Sequence, residues 1–271
     1  ITDDLDWRSN PQSNISAETR SFPFRPVVLL VGLISLVLWS ASLPFGAWQE
    51  LLGEIVDDRV SDTLEWPYDL TTIREASDAY FVDGSGVRVC IVDTGINMEH
   101  PDLRNAQIEF RDFLTSDQTP GDRSSSYHGT MMAGLLVANG TLRGSAPGST
   151  LIMAVALGDD EESGSEEVVA RAIDWCVNER GAHIVSLSLG GTTDVSNTRD
   201  SPPVLSVERA LDRGVFVVAA AGNDGGLDDD GFVATPANVA DVIAVAAVQR
   251  NNTIWDYSSS GYSTEGANNR P

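Results

Sequence analysis

Short apolar runs recur along the chain from residue 86 onward: Val87–Val92, Leu151–Leu157, Ile184–Leu189, Val215–Ala221 and Val242–Val248. Each is nearly continuous in apolar residues rather than alternating with polar ones. That pattern predicts strands buried on both faces. A different period appears between them. Across Glu166–Arg180 the residues Val168, Val169, Ala172, Ile173, Cys176 and Val177 return every three or four positions, with charges opposite, which predicts an amphipathic helix. Ser206–Arg213 reads as another helix, closed by Gly214, and a shorter helical stretch lies around Thr72–Tyr80. Strands alternating with helices predict an α/β fold: a mainly parallel sheet in three α/β/α layers. Functional side chains in such folds gather at the carboxyl ends of the strands.

The longest apolar stretch lies earlier. No charge occurs from Pro26 through Gln49, while Arg20 and Arg25 precede it and Glu50, Glu54, Asp57 and Asp58 follow. A bilayer needs about 20 apolar residues, so 26–49 is expected to be one N-terminal transmembrane helix ahead of the domain. The flanking charges predict a cytoplasmic N-terminus. The chain would then be a single-pass protein of the cell membrane with its main domain outside. A cleaved signal is the rival reading and predicts a secreted protein. The organisation that follows is a disordered polar tail over 1–25, the membrane helix over 26–49, an acidic linker over 50–61 and an α/β domain over 62–271.

Charge narrows the function. There are 40 Asp and Glu against 17 basic residues, for a net charge of −23, and every basic residue is Arg. A body this acidic repels phosphates, which excludes a general nucleic-acid binder. Carboxylate excess without Lys suggests adaptation to high salt. The 2 cysteines rule out a disulfide framework or a four-cysteine zinc site. Cys90 falls in a strand and Cys176 on the apolar face of a helix. Packing is the expected role of both, with a bridge left open.

Four segments carry chemistry. Val89-Cys-Ile-Val-Asp93-Thr-Gly-Ile96 puts a carboxylate at a strand end before a Gly turn. Tyr127-His128-Gly-Thr-Met-Met-Ala-Gly134 starts a small-residue helix with a His. Ile184-Val-Ser-Leu-Ser-Leu-Gly-Gly191 runs a strand into a Gly pair. Ala219-Ala-Ala-Gly-Asn223-Asp-Gly225 sets an amide side chain just after another strand. Taken singly, each has an ordinary reading as a cap, a surface His or a turn. A single Asp-Thr-Gly does not supply the two carboxylates of an aspartic protease.

In this order, together with His100-Pro-Asp-Leu103, Gly144-Ser-Ala-Pro147 and Thr235-Pro-Ala237, the motifs resemble the subtilisin-like serine peptidases over roughly residues 62–271. The resemblance implies a subtilisin-like fold and a serine endopeptidase acting on peptide or protein substrates through an Asp-His-Ser triad. It implies His128 as general base, Asp93 as its orienting carboxylate and Asn223 as oxyanion donor. It also implies Ser188, Leu189 and Gly190 as a wall of the substrate groove, with Gly164-Ser165 across from it.

Departures from the family are equally informative. No Gly-Thr-Ser-Met-Ala segment occurs, so the nucleophilic Ser is expected beyond Pro271 and residues 1–271 alone are expected to be inactive. Met131 replaces a supporting His. No folding pro-domain is expected, since the stretch between the apolar segment and Asp62 leaves no room for one. Catalysis is expected to need no cofactor and no metal site is assigned. Asp102 matches a calcium ligand of the family, but the Leu135–Gly144 loop is short for one. Asp228-Asp-Asp230 reads as a solvated acidic loop, with a structural calcium ion as the alternative. The alternative reading is a membrane-anchored, non-catalytic homologue that binds peptides in the same groove.

Overall fold

The structure, a computed structural model, describes residues 65–159, 164–191, 201–226 and 231–261. Its elements in chain order are α1 (Trp66–Thr71), α2 (Ile73–Tyr80), β1 (Arg88–Asp93), β2 (Gln107–Asp112) and α3 (His128–Val137). There follow β3 (Thr150–Val155), α4 (Glu166–Asn178), β4 (Ile184–Leu187), α5 (Pro202–Asp212), β5 (Phe216–Ala220) and β6 (Ile243–Val245). The strands form one sheet in the order β2-β3-β1-β4-β5-β6, and every neighbouring pair is parallel. The apolar runs therefore form a parallel sheet, although β5 and β6 are exposed on one face rather than buried on both.

Successive residues of a strand point to opposite faces, and the two faces are filled differently. On one face Cys90, Val92, Val185, Leu187 and Val217 pack with Ile173 of α4 and Val207 of α5 in a fully buried core. A disulfide joins Cys90 to Cys176, so β1 is bonded to α4 through this core. On the other face Ile91, Leu151 and Met153 pack with Ala133 and Val137 of α3. That cover ends near β1. Phe216, Ile243 and Val245 are 64, 48 and 49% exposed. Where α3 stops, a groove of about 320 Å³ opens, lined by Met132, Leu135, Ile184, Val218 and Ser188 among others.

β2 is absent from the sequence reading. Gln107–Asp112 carries Glu109, Arg111 and Asp112, and no apolar run marks it. Pairing with β3 makes it a strand. Its Glu109 accepts hydrogen bonds from Arg88 at 2.8 Å and Arg180 at 2.7 Å, while Arg111 stacks over Phe113 and Trp175.

The transmembrane helix expected ahead of the domain is corrected. No helix among the described residues is long and apolar enough to cross a membrane. The longest of them, α4, has 13 residues, against about 20 for a span. The α/β/α architecture is therefore stated without a membrane helix, and the membrane partner and single-pass location fall with it. The segments 1–25, 26–49 and 50–61 lie outside the described residues, as does Asp228-Asp-Asp230.

Candidate active site

Asp93 is the last residue of β1, and its carboxylate is completely buried. An isolated buried charge is costly, so its partners matter. The Thr94 N–H donates to Oδ1 at 2.7 Å. His128 Nδ1 lies 2.8 Å from Oδ1 and 3.0 Å from Oδ2. An ionised carboxylate only accepts, so the proton sits on Nδ1 and Nε2 is left with its lone pair.

His128 opens α3, and the chain around it is shaped for close approach. Gly95, in the turn after Asp93, has φ +122, and a Cβ there would run into the Gly121 carbonyl. A Cβ on Gly129 would in turn strike the Gly95 carbonyl. Helix and turn thus meet backbone to backbone, which sets the imidazole against the carboxylate. The imidazole remains 37% exposed on its other side. The His128 pKa is raised above its ordinary 6.5, first by the hydrogen bond to Asp93; burial opposes the rise, and the charges of Asp93 and Asp122 add to it. The arrangement stabilises a protonated imidazolium while presenting Nε2 outward, as a general base requires.

Asn223 lies beyond the carboxyl end of β5 and is exposed. The turn before it needs Gly222, which has φ +112 and backs onto Ser259 Oγ and Ala234 Cβ. Ser188, Leu189 and Gly190 continue past the end of β4, and Gly191 exchanges backbone hydrogen bonds with Thr235 at 3.0 and 3.3 Å. Gly190 and Leu189 face Gly164, Glu166 and Pro203 across a pocket of about 180 Å³. β1, β4 and β5 are neighbours in the sheet, so Asp93, Ser188 and Asn223 share its carboxyl edge. Only Asp93 and His128 are brought into direct contact; among the described residues no hydrogen bond joins Asn223 to either.

Asp122 was not singled out from the sequence. Its carboxylate accepts from Thr94 and Thr130 beside the Asp93–His128 pair. A lone Asp in a polar loop has no distinguishing spacing, and only the fold brings it to the pair.

Backbone donors hold the Asp102 carboxylate. Its oxygens accept the N–H groups of Thr141 at 2.7 Å and Leu142 at 3.4 Å, and the Gly140 backbone is packed against it.

A parallel α/β/α domain with a buried Asp hydrogen-bonded to an exposed-edge His at its carboxyl end has the architecture of a subtilisin-type serine hydrolase. The pattern of the Subtilase family matches residues 84–271, and the chain belongs to that family of serine peptidases. It is 32% identical over 216 residues to the major intracellular serine protease of Bacillus subtilis (strain 168), covering 77% of this chain and 66% of that protein. It is 37% identical over 183 residues to thermitase of Thermoactinomyces vulgaris, covering 66% of this chain and 61% of that one. Among solved structures it resembles the patellamide maturation protease PatA, with a TM-score of 0.57 and 28% identity over 68% of this chain and 65% of that chain. The chain thus spans less than two thirds of the length of these relatives.

Proposed function

We propose that these residues form the Asp-His-Asn part of a serine endopeptidase whose nucleophilic Ser is carried by a segment beyond residue 271. In this reading His128 Nε2 takes the proton of the Ser hydroxyl as its oxygen attacks the peptide carbonyl. Asp93 keeps the imidazole in the right tautomer and balances its charge. Asn223 donates its side-chain N–H to the oxyanion, and His128 returns the proton to the leaving amine. Water then repeats the sequence on the acyl-enzyme. Ser188–Gly190 extends past β4 and would pair with substrate backbone as an added strand. Residues 1–271 alone would not hydrolyse peptides.

The observation that carries this reading is the Asp93–His128 hydrogen bond at 2.8 Å, made by a fully buried carboxylate. The groove between α3, β4 and β5 supports the missing segment: it is apolar, open and edged by Ser188. The Cys90–Cys176 bridge supports folding in an oxidising compartment. The net charge of −23 without Lys supports a high-salt setting; the melting temperature should then rise from dilute to molar salt, and a flat response removes that part.

The deciding experiment compares residues 1–271 with the chain extended by its downstream coding sequence, using a fluorophosphonate probe for activated serines. The extended chain should be labelled, and labelling should vanish in His128→Ala. A downstream sequence without a Gly-Thr-Ser segment, or labelling that survives His128→Ala, overturns the proposal and leaves a peptide-binding homologue.

A further inference from the structure

The turn after β1 and the first turn of α3 come from distant parts of the chain, yet they must hold Asp93 and His128 within hydrogen-bond reach. Helix α3 lacks the usual means of fixing its own start. Its N-cap residue, Tyr127, has φ +55 and makes no side-chain cap bond. The first-turn amides are satisfied from outside the helix. The Gly129 N–H donates to Thr94 Oγ1 at 2.9 Å. The Thr130 N–H and Oγ1–H donate to Asp122 Oδ2 at 2.9 and 2.7 Å. Asp122 Oδ1 in turn accepts the Thr94 Oγ1–H at 2.7 Å and the Ser124 N–H at 3.2 Å. The loop carrying Asp122 is itself stitched to the turn: Arg123 N–H donates to the Thr94 carbonyl at 2.6 Å, and Ile96 N–H to the Gly121 carbonyl at 3.1 Å.

We infer that Asp122 is a positioning residue for the catalytic pair, its carboxylate clamping Thr94, next to Asp93, to the helical turn that starts with His128. One oxygen holds the β1 side and the other holds the α3 side. A capping residue that served the helix alone would need only the second oxygen. The inference rests on the proposed reading only in that the pair is catalytic.

Charge points the same way. The Thr130 and Ser124 amides and two hydroxyls, all neutral donors, hold Asp122, and among the described residues no cation pairs with it. The nearby Arg123 guanidinium turns to Asp112 at 2.7 Å. Helix α3 brings no charged side chain besides His128, and β1 brings Asp93. The charges acting on His128 are therefore Asp93 and Asp122, both favouring imidazolium. They oppose the positive end of α3, which disfavours it.

The test uses residues 1–271 and needs no peptidase activity. In Asp122→Asn the amide group faces donors on one side or the other, so one half of the clamp is lost whichever way it turns. NMR should then show the His128 Nδ1 proton exchanging faster and the His128 pKa moved down, with circular dichroism retained. An unchanged Nδ1 resonance and pKa in a folded Asp122→Asn protein would reduce Asp122 to a loop cap and overturn the inference. If that variant does not fold, Thr130→Val decides. It removes one hydroxyl donor and keeps the amide. Faster Nδ1 exchange supports the clamp, and exchange as in the parent protein overturns it. In the extended enzyme the same variants should lower kcat and leave KM nearly unchanged; failure of the serine probe there would sink the proposed function without touching the NMR result.

Discussion

The two faces of the sheet are built from the same strands and finished differently. The face under α4 and α5 is closed: Leu187 is 1% exposed, Ile173 and Val207 are fully buried, and the Cys90–Cys176 bridge runs through it. The face under α3 is half open, with Phe216, Ile243 and Val245 exposed and an apolar groove beside Ser188. Exposed apolar patches of this kind mark sites of association. The larger buried cluster lies on the closed face, while the open face carries His128 at its rim. The difference teaches that the core and the chemistry of this domain need not fail together.

Separating the two roles should give the largest effect at Asp93. In the extended enzyme Asp93→Asn should lower kcat by about 10⁴-fold, the magnitude typical of the carboxylate in a serine-protease triad. Its thermal midpoint should stay near that of the parent. An Asp93→Asn protein that unfolds instead would show that the pair also holds the fold. Next comes the bridge. Replacing both Cys90 and Cys176 by Ala opens a loop of sequence separation 86. Loop-closure entropy predicts a loss of about 4–5 kcal/mol in urea unfolding. A loss below about 1 kcal/mol would mean that packing alone closes that face.

A matched pair of truncations compares the faces directly. Leu187→Ala on the closed face should cost about 2–5 kcal/mol. Ile243→Ala on the open face should cost about 0.5 kcal/mol or less in residues 1–271. If the proposed downstream segment covers that face, the Ile243→Ala cost should rise in the extended chain; an equal cost in both forms would place the segment elsewhere.

The smallest effect is the pH linkage of His128. Its folded pKa is raised above the ordinary 6.5. The stability that this supplies is full below 6.5 and is lost as the pH rises through the folded value. The midpoint difference between the parent and His128→Gln should therefore shrink from pH 5 to pH 8. A difference that grows with pH would mean that the pair favours neutral imidazole. Turnover in the extended enzyme should rise over the same interval, since the base works only when Nε2 is unprotonated.

The core strands and α4 were legible because their signals are local. A run such as Leu151–Val155 or the spacing of Val169, Ile173 and Cys176 reports burial within one element. Asp93 and His128 were legible through the order of motifs that resembles the subtilisin-like peptidases, and the structure adds that Gly95 and Gly129 permit the backbone-to-backbone contact beside them. For 26–49 apolar length and flanking charge were the basis for a membrane span; that segment lies outside the described residues, among which no helix is long and apolar enough to cross a membrane. Length and hydropathy alone do not say what a segment packs against.

By itself the sequence determined the α/β order and the parallel core, because periodicity encodes them, while the pairing of Asp93 with His128 was implied by the family resemblance of the ordered motifs. Tertiary structure decided the rest. Gln107–Asp112 is a strand only because β3 lies beside it and Arg88 and Arg180 neutralise Glu109. Cys90 and Cys176 form a bond only because α4 lies across β1. Asp122 meets Thr94 and Thr130 only because the loop folds back on the turn. Each depends on partners far away in the chain, and no local pattern of hydrophobic and polar residues encodes that proximity.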